Sequence, residues 1–336
     1  MMAWRRRTLL PALVIALALA FLAGPACRRA GSDGAPGAKR PRIAVIPMGT
    51  THEFWKAVHA GALTAARELG VEIVWKGPLK EDDRDEQIQI VETLADSGVD
   101  AIVLSPLDDR ALVRPVAEAR RAGIPTVVFN SALQGEEHVA FIATDNYLGG
   151  VLAARAVGRE TGGQGRLVLI RLKVGVEGTT KREEGFLAAL RAEFPGIEVL
   201  SDNQYAGPST ETAYQTMENL ISRYPGIDAV FTPNESTTFG ALRALQDHKL
   251  AGKIVHVGFD ASDKLIEALA GGELAGLVMQ DPFAMGEQSL RTAVAHLRGE
   301  PYEKSAATAV VLVTRENMDE PAIRRLLRPD LAILKD

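Results

Sequence analysis

RIAVIPM at residues 42–48, an amphipathic segment at 53–69 and VEIVW at 71–75 set the pattern of this chain. Short β-branched runs bounded by turn residues are strands, and the longer amphipathic stretch between them is a helix. The alternation continues through DAIVLS (100–105) and IPTVVF (124–129), with a helix predicted over 85–97. Such runs belong to a parallel sheet covered on both faces, so the class is α/β. After a joining region the pattern returns, with strands predicted at 166–171, 197–200, 228–232 and 253–258 and helices near 180–193, 210–223, 236–248 and 261–270. One architecture stands in the chain twice. Two such sheets face each other across a crevice into which the loops at the carboxyl ends of the strands project. The remainder comprises a strand-like run at 274–279, a helix near 283–298 with Phe283, Leu290, Ala293 and Leu297 on one face, and an apolar run at 307–313. The two domains are therefore not simple sequence halves. The tail from Asn317 has helical character over 322–327 and reads as cover for one domain.

The chain has 336 residues, enough for two domains that each bury a core. Hydrophobic residues at 46% and charged residues at 24% are ordinary globular values, which argues against disorder and against a multi-span membrane protein. A net charge of −5 supplies no basic surface for a phosphate backbone, so nucleic acid is not an expected partner. Residues 1–27 differ. Arg5, Arg6 and Arg7 precede an apolar run over 9–23, and small residues follow, which is the pattern of a secretory signal. Cys27, the single cysteine, stands at the expected cut after Gly24, Pro25 and Ala26. This resembles bacterial lipoproteins, in which such a cysteine takes the lipid and becomes the mature N-terminus. Gly24 stands where those signals carry Leu, Val or Ile, which leaves plain cleavage or an uncleaved anchor open beside the expected lipidation of Cys27. Residues 28–41, rich in Gly, Ala and Pro, read as a flexible tether.

No catalytic constellation stands out. There is no G-x-S-x-G elbow, and the cysteine belongs to the export segment. His52 and Glu53 begin like a zinc-protease helix, but the second histidine would fall at Lys56, and His59 comes too late. The six histidines lack ligand spacing, so no metal or cofactor is expected. Gly162-Gly163-Gln164-Gly165 lies before a strand, whereas a phosphate loop follows one, so it is a turn. The acidic run Glu81, Asp82, Asp83, Asp85 and Glu86 lacks the glycine and spacing of a calcium loop. Favourable charge at a helix N-terminus explains it.

Polar and aromatic residues gather instead at strand ends. His52, Phe54 and Trp55 follow the first strand, Ser105 ends the third, Asn130 ends the fourth, and Asp145 opens the joining segment. In the second half Arg182 starts a helix, Asn234 follows a strand, Asp260 ends HVGFD, and Gln280 follows GLVM. This set suits a sugar, with Asp, Asn, Gln and Arg for the hydroxyls and aromatic rings for the C–H faces. Each residue has a plainer role open to it. Asp145 or Asn234 could cap a helix, Arg182 could pair with Glu183 or Glu184, and one of Phe54 and Trp55 belongs to the core, because helix neighbours point apart.

Over roughly 42–315 the chain resembles the periplasmic sugar-binding proteins of the ribose-binding type, which feed ABC transporters. The segments that carry the resemblance are ATDNYLGG (143–150), KREEGF (181–186), VFTPNE (230–235), GALRAL (240–245), VGFDAS (257–262) and LVMQDP (277–282). It implies two similar doubly wound parallel-sheet domains joined by a three-crossover hinge, the periplasmic binding protein type I fold, with crossovers near Thr144–Asn146, Gln280–Pro282 and Thr314. Residues 42–144 plus 281–314 would form one lobe, 145–280 the other, and 315–336 a tail. It also implies that Phe54 and Trp55 sandwich a sugar ring and that Arg182, Asn234, Asp260 and Gln280 hydrogen-bond it. Ribose binders have asparagine at the positions of His52 and Ser105 and an Asp-Arg pair at Asn130-Ser131, so ribose itself is not predicted. The expected protein is a monomeric, lipid-anchored solute receptor on the outer face of the cell membrane or in the periplasm, partnered by an ABC permease. A receptor for a membrane kinase or chemoreceptor, or a non-sugar polar ligand, is the alternative. An exported hydrolase and a transcription regulator of this fold are disfavoured, the latter because the signal occupies the place of a DNA-binding module.

Overall fold

The computed structural model describes residues 39–335. The signal segment, Cys27 and residues 28–38 of the tether lie outside the described residues. The first lobe alternates β1 (Arg42–Ile46), α1 (Glu53–Leu69), β2 (Glu72–Trp75), α2 (Arg84–Asp96), β3 (Ala101–Leu104), α3 (Val113–Arg121), β4 (Thr126–Phe129) and β5 (Ala140–Thr144). The second follows with α4 (Asn146–Glu160), β6 (Gln164–Arg171), α5 (Glu177–Glu193), β7 (Gly196–Tyr205), α6 (Thr210–Arg223), β8 (Ala229–Phe231), α7 (Glu235–Asp247), β9 (Val255–Phe259), α8 (Asp263–Gly271) and β10 (Gly276–Gln280). Then come α9 (Pro282–Arg298), β11 (Ser305–Thr308), β12 (Val310–Val313) and α10 (Pro321–Leu327).

The strands form two six-stranded sheets, β11-β5-β4-β3-β1-β2 and β12-β10-β9-β8-β6-β7. All neighbours run parallel except β12, which is antiparallel to β10. Because side chains alternate along a strand, one strand feeds two cores. Ile43 and Val45 pack toward α1 and α9, while Ala44 and Ile46 pack toward α2 and α3. In the second sheet Leu167 and Leu169 face α4 and α5, and Val168 and Ile170 face α6 and α7. Burying each such large aliphatic side chain contributes about 1.5–3 kcal/mol.

The lobes exchange one helix each. The chain leaves β5 of the first sheet and α4 packs on the second; it leaves β10 of the second sheet and α9 packs on the first. An aspartate caps each exchanged helix, Asp145 accepting from Leu148 N–H at 2.9 Å and Asp281 from Ala284 N–H at 2.9 Å. Each helix then crosses a partner at facing glycines. A Cβ on Gly150 would stand 1.9 Å from the Arg182 carbonyl oxygen and one on Gly185 2.1 Å from that of Tyr147. Across α1 and α9 the matching figures are 2.0 Å for Gly61 and 2.1 Å for Gly286.

The apolar run at 307–313 is two strands rather than one. β11 pairs with β5 in the first sheet, and after Ala309 β12 pairs with β10 in the second. The third crossover is therefore at Ala309, not near Thr314, and 310–313 belong to the second lobe. β5, α3 and α4 fall in stretches where the sequence reading placed no element. The tail also departs from its expected role of covering one domain. Ile323 and Leu327 are buried with Leu265, Leu269, Met279 and Val313 of the second lobe. The closing 3₁₀ turn, Ala332–Lys335, lies on α1 of the first lobe, where Arg67 Nη2 donates to the Ile333 carbonyl at 3.4 Å.

Candidate functional site

The carboxyl ends of both sheets meet in a pocket lined by His52, Phe54, Trp55, Asn130, Arg182, Asn234, Asp260 and Gln280. The lobes are drawn together over it. Its volume is about 40 Å³, the space of a few water molecules. From the second lobe Lys173 Nζ donates to the Glu81 carbonyl at 2.8 Å and Gly178 N–H to Ser131 Oγ at 3.2 Å. At the hinge, Thr144 Oγ1 donates to Gln280 Oε1 at 2.9 Å. Beside the pocket is a larger space of about 480 Å³, bounded by Phe54, Asp260 and Gln280 and by Leu326, Leu327, Arg328, Pro329 and Leu331 of the tail.

Arg182 is fixed on every side. Its Nε donates to Asn146 Oδ1 at 2.8 Å and its Nη1 to the Pro233 carbonyl at 2.8 Å, and the guanidinium lies 4.4 Å from the Phe259 ring centroid. Asp260 Oδ2 is 3.8 Å from Nη1, so Arg182 pairs across the pocket floor rather than with its helix neighbours Glu183 and Glu184. Burial lowers the Arg182 pKa, and Asp260 is the largest influence opposing that. Burial raises the Asp260 pKa, opposed by Arg182 and by a 2.6 Å hydrogen bond from Gln280 Nε2. Two ions held this way in low dielectric offer a ligand directional, charge-assisted hydrogen bonds. Asn234 both caps α7 and lines the pocket, so its two readings are compatible.

The opposite wall is built around a residue missing from the sequence-based set. Glu81, only 8% exposed, presents one oxygen, Oε1, to Trp55 Nε1 at 2.6 Å and to His52 Nδ1 at 3.0 Å. The acidic run is thus not explained by helix-end charge alone; Asp83 caps α2, but Glu81 turns inward. Burial alone would lower the His52 pKa, but the bond to Glu81 and the carboxylates of Glu81, Glu235 and Asp260 carry it up to about 9. Glu235 also lines the pocket and accepts from Phe54 N–H across the cleft at 3.4 Å. Burial pushes its pKa up to about 7, against the attraction of His52. Nothing in the local sequence separates Glu81 or Glu235 from a surface acid at a helix start.

Three expectations change. Asp145 is exposed, caps α4 and does not line the pocket. Ser105 is fully buried and lies behind Asn130, whose Nδ2 donates to Ser105 Oγ at 3.1 Å. Phe54 and Trp55 stand at 89° with centroids 4.9 Å apart, so they contact each other and cannot sandwich a ring. Trp55 belongs to the core, Phe54 is the available cover, and Leu172 and Val176 supply apolar surface from the other lobe. His256, by contrast, is a packed neutral histidine. Burial holds its pKa near about 3, with Nε2 2.9 Å from Thr232 Oγ1.

Two α/β lobes exchanging helices around a polar cleft define a binding protein that closes on a small solute. The chain belongs to the periplasmic binding protein domain family, whose model matches residues 43–301. It is 30% identical to the D-ribose/D-allose-binding protein of Pseudomonas aeruginosa, over 92% of this chain and 98% of that one. It is 28% identical to the ribose import binding protein of Escherichia coli, over 82% and 90%. Among solved structures, a carbohydrate transporter solute binding protein from Agrobacterium radiobacter in complex with D-arabinose superposes with a TM-score of 0.83 at 34% identity, covering 87% of this chain and 100% of that one. The family is one of non-enzymatic periplasmic receptors, which places the protein in the periplasm and alongside a transporter.

Proposed function

We propose that this protein is the solute receptor of an ABC sugar importer and that it holds a neutral monosaccharide or polyol in the His52–Asp260 cleft. The observation that carries this is the convergence of Arg182, Asp260, Gln280 and Asn234 from one lobe with His52 and Asn130 from the other. Fixed donors and acceptors on both walls, with Phe54 as apolar cover, match a ring that carries hydroxyls on its edge and C–H groups on its faces. The similar proteins named above bind ribose, ribose and allose, and arabinose, which supports the carbohydrate class. His52 and Asn130 give the first-lobe wall its own chemistry, so the preferred sugar is one other than ribose. The protein works as a monomer, tethered by a lipid on Cys27.

The test is mass spectrometry of ligand released from protein purified without added sugar, backed by thermal-shift screening of pentoses, hexoses and polyols. Absence of any stabilising sugar would remove the carbohydrate assignment. Intact mass of the membrane fraction, with and without Cys27→Ala, reads the lipid directly, and light scattering of the soluble form reads the oligomeric state.

A further inference from the structure

We infer that Glu81 is a positioning residue of the ligand site, one that fixes His52 as a donor-only corner and so restricts the ligand to groups offering an oxygen lone pair there. The inference rests on the reading of the cleft as a sugar site.

Glu81 is held where a loop acid would not ordinarily stay. It comes from the segment between β2 and α2, and the missing side chain of Gly49 makes its room: a Cβ there would stand 2.9 Å from Glu81 Cγ. Its carbonyl is tied to the opposite lobe through Lys173, so closure of the cleft and placement of its carboxylate go together. The carboxylate engages His52 Nδ1 and Trp55 Nε1 at once, aligning two pocket-lining rings with a single oxygen.

The chemistry of the corner follows from which nitrogen is used. With Nδ1 committed to Glu81, the pocket-lining His52 ring has Nε2 left for a ligand. A cationic imidazole can only donate from that atom, whereas a neutral one holding its proton on Nδ1 could only accept. The charged groups around it are Glu81 on its own lobe and Glu235 and Asp260 from the other. Lys173 is spent on the Glu81 carbonyl and Arg182 on Asp260. Burial would by itself raise the Glu81 pKa, but the bonds from His52 and Trp55 and the charge of Lys173 bring it below its ordinary value. Acid and base therefore hold each other ionised. A hydroxyl or ring oxygen is accepted at this corner, and an ammonium placed on Nε2 is repelled by the imidazolium, so a sugar must present an oxygen rather than an amine there.

The first readout needs no ligand. By NMR of the ring nitrogens, His52 in the wild-type protein keeps its charge until about 9, and Glu81→Gln lowers that midpoint by about two units or more. The second uses D-ribose, D-arabinose, D-allose and D-glucosamine as probes by calorimetry. Wild-type binding of the neutral sugars is level from about pH 6 to about pH 8 and declines above the His52 midpoint, and D-glucosamine does not bind with its amine on His52. Glu81→Gln weakens the neutral sugars about tenfold near neutral pH and recovers part of that loss toward about pH 5. An unchanged His52 midpoint in Glu81→Gln overturns the inference, as does wild-type binding that is level through about pH 10. If Glu81→Gln does not fold, the wild-type NMR midpoint and pH profile still decide. If no sugar binds the wild type, the sugar reading fails, while the ligand-free midpoint still reports on Glu81.

Discussion

Asn130 and Asp260 hold the same station in the two lobes. Asn130 follows β4 and Asp260 follows β9, each has φ of 65°, and each backbone N–H bonds the next strand, to Ile142 and Val278 at 2.9 and 3.0 Å. The duplicated architecture thus places one left-handed residue at the mouth of each sheet, and both side chains line the pocket. Asn and Asp tolerate this conformation better than other residues with a Cβ.

The two positions respond differently to glycine, which suits the backbone at both. Asn130→Gly should cost about 1 kcal/mol of stability, because the buried Ser105 hydroxyl loses its partner, and weaken sugar binding by about 2–12-fold, the loss of one hydrogen bond. Asp260→Gly strands the buried Arg182 charge and should cost about 3–5 kcal/mol of stability as well as affinity. Denaturant unfolding with calorimetry separates the two effects; equal stability losses at both sites would refute the account.

The pH dependence has a definite sign. Glu235 and Glu183 have pKa values raised from 4.5 to about 7, each chiefly by burial, so the folded protein binds more protons than the unfolded chain between those values. Stability should fall as pH rises through that window. His52, raised from 6.5 to about 9, stabilises fully below its unfolded value and loses that contribution as pH climbs to about 9. Thermal unfolding of the ligand-free protein between about pH 5 and about pH 9 measures the slope, and Glu235→Gln should flatten its lower half. Neutral His256 contributes the opposite sign below 6.5, so it is a melting temperature that rises between about pH 7 and about pH 9 that would contradict the assignment.

At the helix crossings, Gly150→Ala forces a methyl group toward the Arg182 carbonyl and should destabilise by about 1–3 kcal/mol. Gly61→Ala, at the matching crossing in the other lobe, should behave alike. Urea unfolding of both variants provides the comparison, and no loss at either site would mean the helices separate more easily than their packing indicates.

Removal of residues 328–336 deletes the part of the tail that reaches from the second lobe to α1, leaving Ile323 and Leu327 in place. Sugar release, followed in stopped flow by tryptophan fluorescence, should become several-fold faster with little change in unfolding midpoint. Identical release rates would show that the contact on α1 does not restrain opening.

Most strands and most helices were legible because continuous apolar runs and amphipathic spacing report burial directly, but the short β5 was not. The missed α3 carries Pro115 near its start, and α4 carries Gly149 and Gly150, residues that read as breakers until the helix they cross is known. The second-lobe wall was readable because Asn234, Asp260 and Gln280 stand at or just past the carboxyl ends of β8, β9 and β10, whereas Arg182 lies in the second turn of α5 rather than at a helix start. Glu81 was not, since its role depends on Gly49, Trp55 and His52 meeting in space. The split at Ala309 was hidden for the same reason, as a seven-residue apolar run over 307–313 does not announce which sheet each half joins.

The position of β11 and β12 near the end of the chain bears on biosynthesis. Until residues 305–313 have been made, each sheet lacks a strand, and the edges of β5 and β10 stand open. Residues 305–313 therefore complete both sheets together, and neither lobe closes its strand edge ahead of the other.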